Sequence, residues 1–199
     1  MSLTSIAGKL FLPRQKDLER YATEAVKMQQ KVLKRLIEHG RHTEYGRKFG
    51  MQSSRYEDFA QGIPVVSYEE LKGDIDRMRH GERDILWPGL VRWYAKSSGT
   101  TNDKSKFIPV SHEGLQNIHY QGGKDVLAYY LSNHPESRIF NGKSLILGGS
   151  HSPNYNLSNS LVGDLSAILI ENINPLANFV RVPKKETALL SDFEVKRDR

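Results

Sequence analysis

The stretch Lys96-Ser97-Ser98-Gly99-Thr100-Thr101-Asn102-Asp103-Lys104-Ser105-Lys106 most constrains how this chain can fold. Val91, Trp93, Tyr94 and Ala95 lead into it, and Phe107-Ile108-Pro109-Val110 leads out. β-branched and aromatic residues on both sides of a small, polar, glycine-containing segment predict strand, tight loop, strand. Such a loop suits a polyphosphate. Hydroxyls and unshielded backbone N–H groups donate to phosphate oxygens, glycine lets the backbone approach, and lysine supplies a point charge. Composition alone leaves an ordinary polar hairpin equally open.

The rest of the pattern alternates helices with short strands. Between residues 14 and 39, Leu18, Tyr21, Ala22, Ala25, Val26, Val32, Leu33, Leu36 and Ile37 return to one face at a period of 3.6. That spacing predicts one long helix, entered after Pro13 and capped by Gly40. Ser54-Arg55-Tyr56-Glu57 and Ser67-Tyr68-Glu69-Glu70 each read as a capping box opening a short helix, with Gly81 stopping the second. Pro64 makes residues 63–66 an extended edge at most. After Val110, Ser111 can cap a longer helix with Leu115, Ile118, Gly122, Val126 and Tyr129 or Tyr130 on its buried face. Residues 144–147 read as a buried strand closed by Gly148-Gly149, and residues 150–160 as a loop. Residues 161–170 suit helix and strand equally. Phe179-Val180-Arg181-Val182 looks extended, and residues 189–195 open another helix. The fold class is therefore α/β or α+β.

At 199 residues the chain can bury one sizeable core or two small ones. Its mean hydropathy is −0.56, and no apolar run approaches the roughly 20 residues that cross a bilayer. The first twelve residues hold no long apolar core followed by a small-residue cleavage site, so a cytoplasmic location is expected. The sequence has no cysteine, which removes disulfides, thiolate metal sites and cysteine nucleophiles. Asn156-Leu157-Ser158 then reads as an accidental sequon. His112, His134 and His151 show no metal-ligand spacing, so no metal site is expected. No Gly-x-Ser-x-Gly elbow supports a serine hydrolase.

The net charge of +6 suits anionic ligands such as nucleotides, or nucleic acid. The basic residues are interleaved with acids, apart from Lys196-Arg197-Asp198-Arg199 at the end, so a solvated basic surface is the simpler reading. Trp87, Trp93 and Tyr94 beside Arg92 and Lys96 offer either a stacking platform or ordinary core aromatics.

Among phosphate loops, the Walker pattern and the dinucleotide fingerprint are both absent. The Ser-Ser-Gly-Thr-Thr run followed by a lysine resembles the first signature of the acyl-adenylate-forming superfamily. Phe59 with Pro64-Val65, Tyr68-Glu69-Glu70-Leu71, Gly81-Glu82, Ile85-Leu86-Trp87-Pro88-Gly89, the loop itself, Lys106-Phe107-Ile108-Pro109-Val110, Gly163-Asp164-Leu165-Ser166 and Arg181-Val182-Pro183 are all similar to the auxin-responsive acyl-acid amido synthetase family. The resemblance runs essentially end to end.

That resemblance implies an ATP- and Mg²⁺-dependent ligase. It would activate a carboxylic acid as an acyl adenylate and pass the acyl group to an amine or amino acid; coenzyme A as acceptor is the near variant. It implies Ser97, Ser98, Gly99, Thr100 and Thr101 around the nucleotide phosphates, with Lys106 as the closing lysine and catalytic cation. Asn102-Asp103 departs from the pattern, since a small residue is common there. Asp103 can point away, pair with Lys104 or approach through Mg²⁺. On this reading residues 1–199 are the N-terminal part of the adenylating domain, with the later nucleotide signatures and the C-terminal domain absent, so the piece would be inactive alone. Tyr120 and Lys124, four apart on the helix after the loop, could receive the acid's ring and carboxylate, against a plainer reading as a partly buried tyrosine and a solvated lysine. The alternative function is a non-catalytic basic module that binds nucleic acid or an acidic partner.

Overall fold

The computed structural model describes residues 3–97 and 105–198. In chain order it has helices α1 (Leu3–Phe11), α2 (Gln15–Thr23), α3 (Ala25–Gly40), α4 (Glu44–Lys48), α5 (Tyr56–Gly62) and α6 (Tyr68–Arg79). Strands β1 (Trp93–Lys96) and β2 (Phe107–Val110) follow, then α7 (His112–Gly114), a π-helical stretch (Leu115–Tyr120) and α8 (Gln121–Asn133). The remainder comprises β3 (Ser144–Leu145), β4 (Leu161–Gly163), α9 (Leu165–Asn172), β5 (Arg181–Val182), α10 (Lys185–Ala188) and α11 (Phe193–Arg197). The expected mixture of helices and strands is present. None of the described helices is long and apolar enough to cross a membrane.

The chain divides into two compact units. One holds residues 23–111 and 154–162, and the other holds residues 1–22, 112–153 and 163–199.

In the first unit β1 is central, in a sheet of order β2-β1-β4. β1 and β2 run antiparallel, with Trp93 opposite Val110 and Lys96 opposite Phe107. Tyr94 is fully buried and packs with Ile75, Met78, Ile85, Val91 and Val162; Tyr68, Leu71, Trp87 and Phe107 close the cluster. The aromatic run is thus mainly core, and Trp87 also stacks on His39 with ring centres 6.0 Å apart. Helix α6 opens on the expected capping box, its Glu70 carboxylate accepting from the Ser67 N–H at 2.7 Å. It stops at Gly81, whose φ of +99° suits only glycine, and a Cβ there would lie 2.5 Å from the Asn159 amide nitrogen.

The second unit buries Leu115, Ala128, Leu131, Ala167, Ile168, Ile170 and Ala188. Phe11 stacks on Phe140 at 6.0 Å. Arg14 reaches Asp125 at 2.6 Å. Strands β3 and β5 form a separate parallel pair, with Ser144 opposite Arg181 and Leu145 opposite Val182. Residues 161–170, which suit two states in the sequence, adopt both: β4, then α9 after Asp164.

Four expectations are corrected. The long helix is broken at Glu24 (φ −123°, ψ 26°), beside the boundary between the two units. Of α3, Ile37 and Gly40 are buried, whereas Val26, Val32 and Leu36 are exposed. Gly40 also lies within the helix, and Arg41 is the cap. A stripe specifies a face, but continuity depends on what packs against it. Helix α5 begins at Tyr56, one turn position later than its sequence box. Ser53 does the polar work there, accepting from Arg55 N–H and bonding the Asp58 carboxylate. In residues 144–147 only the first two form a strand, and Leu145 and Leu147 are exposed, because β3 has a single partner of two residues.

The fourth correction concerns the helix after the loop. Its buried residues are Leu115, Ala128 and Leu131, while Ile118, Val126 and Tyr129 are exposed. The π stretch explains the change. A wider turn inserts residues without advancing the face, so a 3.6-residue count begun at Leu115 points to the wrong side beyond Tyr120.

Candidate phosphate-loop site

Strands β1 and β2 bring the two ends of the polar loop together because they are antiparallel neighbours in register. The last ladder pair, Lys96 and Phe107, is followed by a reciprocal clamp. Ser97 N–H donates to the Lys106 carbonyl at 2.9 Å, and Lys106 N–H donates to the Ser97 hydroxyl oxygen at 3.0 Å. The hydroxyl oxygen is used here as an acceptor, so its O–H is not spent on Lys106. Ser97 and Lys106 are thus brought together as the mouth of the loop. Ser98, Gly99, Thr100 and Thr101 lie outside the described residues, as do Asn102, Asp103 and Lys104.

Helix α6 fixes the outgoing strand. Phe107 N–H donates to the Tyr68 hydroxyl at 3.0 Å, and the Lys106 ammonium sits 5.2 Å from the centre of the Tyr68 ring. Tyr68 therefore holds the backbone of one residue and the cation of its neighbour. A second aromatic organises the incoming strand, with the Lys96 ammonium 4.1 Å from the Tyr155 ring centre. Arg79 joins the two strands' surroundings. Its guanidinium lies 3.8 Å from the Phe107 ring centre and donates to the Tyr155 carbonyl at 2.8 Å. Beside these groups is a cleft of about 430 Å³ lined by Tyr68, Glu69, Lys72, Gly73, Ile75, Asp76, Arg79, Ser105 and Phe107, its two cations matched by two carboxylates. A lysine pair held on aromatic faces, the Ser97 hydroxyl and an adjoining cleft are groups of the kind that suit an anion.

Arg79 is a residue that sequence reasoning passes over. In a helix's last turn an arginine reads as a favourable dipole partner. The signal is only visible once Phe107 comes to lie beneath it.

Tyr120 and Lys124 belong to the other unit. Tyr120 is half-buried and donates its hydroxyl to the Leu169 carbonyl on α9 at 2.8 Å. Burial pushes its phenol up to about 12, with the charge of Arg181 pulling the other way. Lys124 is exposed, and the carboxylate next to it, Asp125, is held by Arg14 and Gln121. Arg181 is the unexpected residue here. It is 3% exposed and its three guanidinium nitrogens have no hydrogen-bond partner among the described residues. A single cation inside the apolar run Phe179-Val180-Arg181-Val182 is the sequence signal for it. Among the described residues no group of three or more His, Asp or Glu is placed to hold a metal ion.

The architecture matches a known class. A solved acyl acid amido synthetase, GH3.15, superimposes with a TM-score of 0.71 at 23% identity, covering 89% of this chain and 31% of that one. The family model described as the GH3 family N-terminal domain matches residues 14–196, and the chain belongs to the GH3 family. Indole-3-acetic acid-amido synthetase GH3.15 of Arabidopsis thaliana is 32% identical over 142 residues, which is 63% of this chain and 24% of that protein. The 4-substituted benzoates-glutamate ligase GH3.12 of the same plant is 29% identical over 105 residues, 52% of this chain and 18% of that protein. The match thus spans between 18% and 24% of the length of these curated relatives.

Proposed function

We propose that this chain carries the phosphate-holding loop of an ATP-dependent ligase that joins a small carboxylic acid to an amine, most simply that of an amino acid. The observation that carries the reading is the Ser97–Lys106 clamp, at 2.9 and 3.0 Å, on a loop whose composition suits phosphate. Membership of the GH3 family supports the amide-forming class, since the relatives are named for joining indole-3-acetic acid or benzoates to an amine.

ATP is a co-substrate in this scheme. A carboxylate oxygen of the acid attacks the α-phosphorus, the bond to the bridging oxygen breaks, and pyrophosphate leaves with that electron pair. The amine nitrogen then attacks the acyl carbon, its proton is lost, and AMP leaves. Lys106 neutralises charge on the phosphate oxygens while Tyr68 sets the position of the lysine stem. Ser97 donates its O–H to the same oxygens. Positioning and fixed charge supply the acceleration, with no covalent enzyme intermediate. The donors at the mouth, a hydroxyl and ammonium groups, fit a polyphosphate, whereas a resident metal has no carboxylate cluster among the described residues. Mg²⁺ would enter with the nucleotide.

The test is acid-dependent exchange of labelled pyrophosphate into ATP by the full-length enzyme. Lys106→Ala should abolish exchange while leaving the melting temperature within a few degrees of wild type. Exchange at the wild-type rate in that variant would remove Lys106 from the mechanism. Product analysis with an amino acid and with coenzyme A separates amide from thioester formation.

A further inference from the structure

The strongest anomaly in the second unit is Arg181. It lies on β5, in register with Ser144 of β3, and is 3% exposed. Its Nε and both Nη atoms are buried without a hydrogen-bond partner. Lysine or a carboxylic acid in that position could escape by becoming neutral. Arginine cannot, because its guanidinium stays protonated at any pH a protein meets. A permanent charge with five unused donors, removed from water, demands a counter-charge.

Three carboxylates of the same unit are engaged elsewhere. Glu171 pairs with Lys185 at 3.0 Å. Asp125 takes Arg14, and the Asp164 carboxylate accepts from the Ser150 N–H at 3.0 Å. Tyr120, whose ring is close enough to feel the Arg181 charge, already gives its hydroxyl to Leu169. The cover over Arg181 is thin. β3 and β5 are two residues each, and the flanking Leu145, Phe179 and Val182 are 69%, 73% and 41% exposed. A ribbon so short opens locally at small cost, which gives a ligand its way in.

We propose that Arg181 is the receptor for a small carboxylate ligand, gripped two-pronged by the guanidinium fork. The planar fork matches a carboxylate's two oxygens, and burial makes that pairing far stronger than on a surface. The choice of a carboxylate rests on the ligase reading, in which both the acid and an amino-acid acceptor carry one. Arg181 binds one of these two, and the chemistry it recognises is the same in either.

The experiment is thermal melting of the full-length protein in sodium benzoate, sodium glycinate at neutral pH, or sodium chloride, at matched ionic strength. Wild type should show a saturable rise of several degrees with benzoate or with glycine and none with chloride. Benzoate alone assigns the acid, and glycine alone assigns the amino acid. Arg181→Met should lose the rise and melt at or above wild type in carboxylate-free buffer, since it removes an unpaired buried charge. Arg181→Lys, which keeps the charge and loses the fork, should need at least tenfold more carboxylate for the same shift. A direct readout is the Arg181 Nε–H resonance, identified by its loss in Arg181→Met, which should move downfield as carboxylate is added. A wild-type chain whose melting and Arg181 resonance ignore both carboxylates overturns the proposal, whatever the variants do. Neither measurement needs ATP or turnover. Failure here leaves the phosphate loop untouched, and a failed pyrophosphate exchange leaves the melting shift standing.

Discussion

Lys106 and Ser97 hold each other through both backbone N–H groups, one donating to a carbonyl at 2.9 Å and the other to a hydroxyl at 3.0 Å. The clamp sits one residue beyond the last ladder pair of β1 and β2, so the sheet's register is transmitted directly to the mouth of the polar loop. It also sets where the lysine side chain starts.

Ser97→Ala removes the oxygen that accepts from Lys106 N–H. The expected cost is about 1 kcal/mol of stability, the usual net worth of one hydrogen bond. The functional loss should be larger than the stability loss, because the hydroxyl proposed to donate to phosphate also goes. In the full-length enzyme KM for ATP should rise about tenfold, which corresponds to ~1.4 kcal/mol of binding. Ser97→Thr keeps the hydroxyl and should restore most of it. Unchanged steady-state kinetics in Ser97→Ala would contradict a ligand-facing role.

Tyr68→Phe keeps the ring under Lys106 but removes the acceptor for Phe107 N–H. A backbone donor left without its partner in a part-buried place costs about 1–3 kcal/mol. Denaturant unfolding should show a lower midpoint, with exchange activity reduced less than in Lys106→Ala. Tyr68→Leu loses both contacts and should be the worse of the two on activity.

Two glycines predict opposite outcomes. A Cβ on Gly46 would lie 2.0 Å from the Gly40 carbonyl oxygen, a backbone atom that cannot step aside. Gly46→Ala should cost ~3 kcal/mol or more, as other forced overpacking does. A Cβ on Gly40 meets the Met51 sulfur at 2.7 Å, the end of a flexible side chain. Gly40→Ala should fall within about 1 kcal/mol of wild type, since alanine's better helix propensity offsets the repacking of Met51. Equal melting temperatures for the two variants would show that the Gly46 contact relaxes.

Acid should loosen the second unit through Asp125. Burial pushes its carboxyl up, but hydrogen bonds from Arg14 and Gln121 outweigh that, and the net pKa lies below the usual value. A group depressed in the folded state contributes its stability above the unfolded pKa, about 4, and loses it as the pH falls through the folded value. Both side chains of the pair keep about a fifth of their surface exposed (21% and 22%), so the contribution is modest, roughly 1 kcal/mol. Asp125→Asn should melt below wild type at pH 7, and the gap should begin to narrow below about pH 4 and close once the pH falls past the lower folded value, where folded wild type has lost the charge as well. A gap that persists unchanged at pH 2 would mean that the carboxylate charge is not what matters.

Much of the first unit is legible in the sequence because its signals are local. The apolar flanks of the polar loop dictate β1 and β2, Ser67 and Glu70 dictate the start of α6, and Gly81 dictates its end. Each depends on residues within a few positions, where backbone preferences and side-chain caps act without help from the rest of the chain. The box at residues 54–57 fails for the same kind of reason: Ser53, one residue earlier, wins the competition for Arg55 N–H and Asp58.

Periodicity loses its meaning where geometry departs from the period. The π stretch from Leu115 to Tyr120 rotates every later residue of that helix, turning Ala128 and Leu131 inward and Val126 outward. The break at Glu24 divides one apolar stripe into two helices.

By itself, then, the sequence determined a cysteine-free chain of mixed helix and strand, a strand–loop–strand with phosphate-suited residues at its centre, and the family resemblance that the comparisons support. The tertiary structure alone decided that Tyr68 and Arg79 serve the loop's two flanks, and that the Arg181 guanidinium is buried with no hydrogen-bond partner among the described residues. Those facts join residues from 28 to 76 positions apart, such as Arg79 with Phe107 and Arg79 with Tyr155. Side chains that distant have no local preference to record their meeting. Only the packing of whole elements, governed by total burial and the pairing of charge, brings them into contact or keeps them apart.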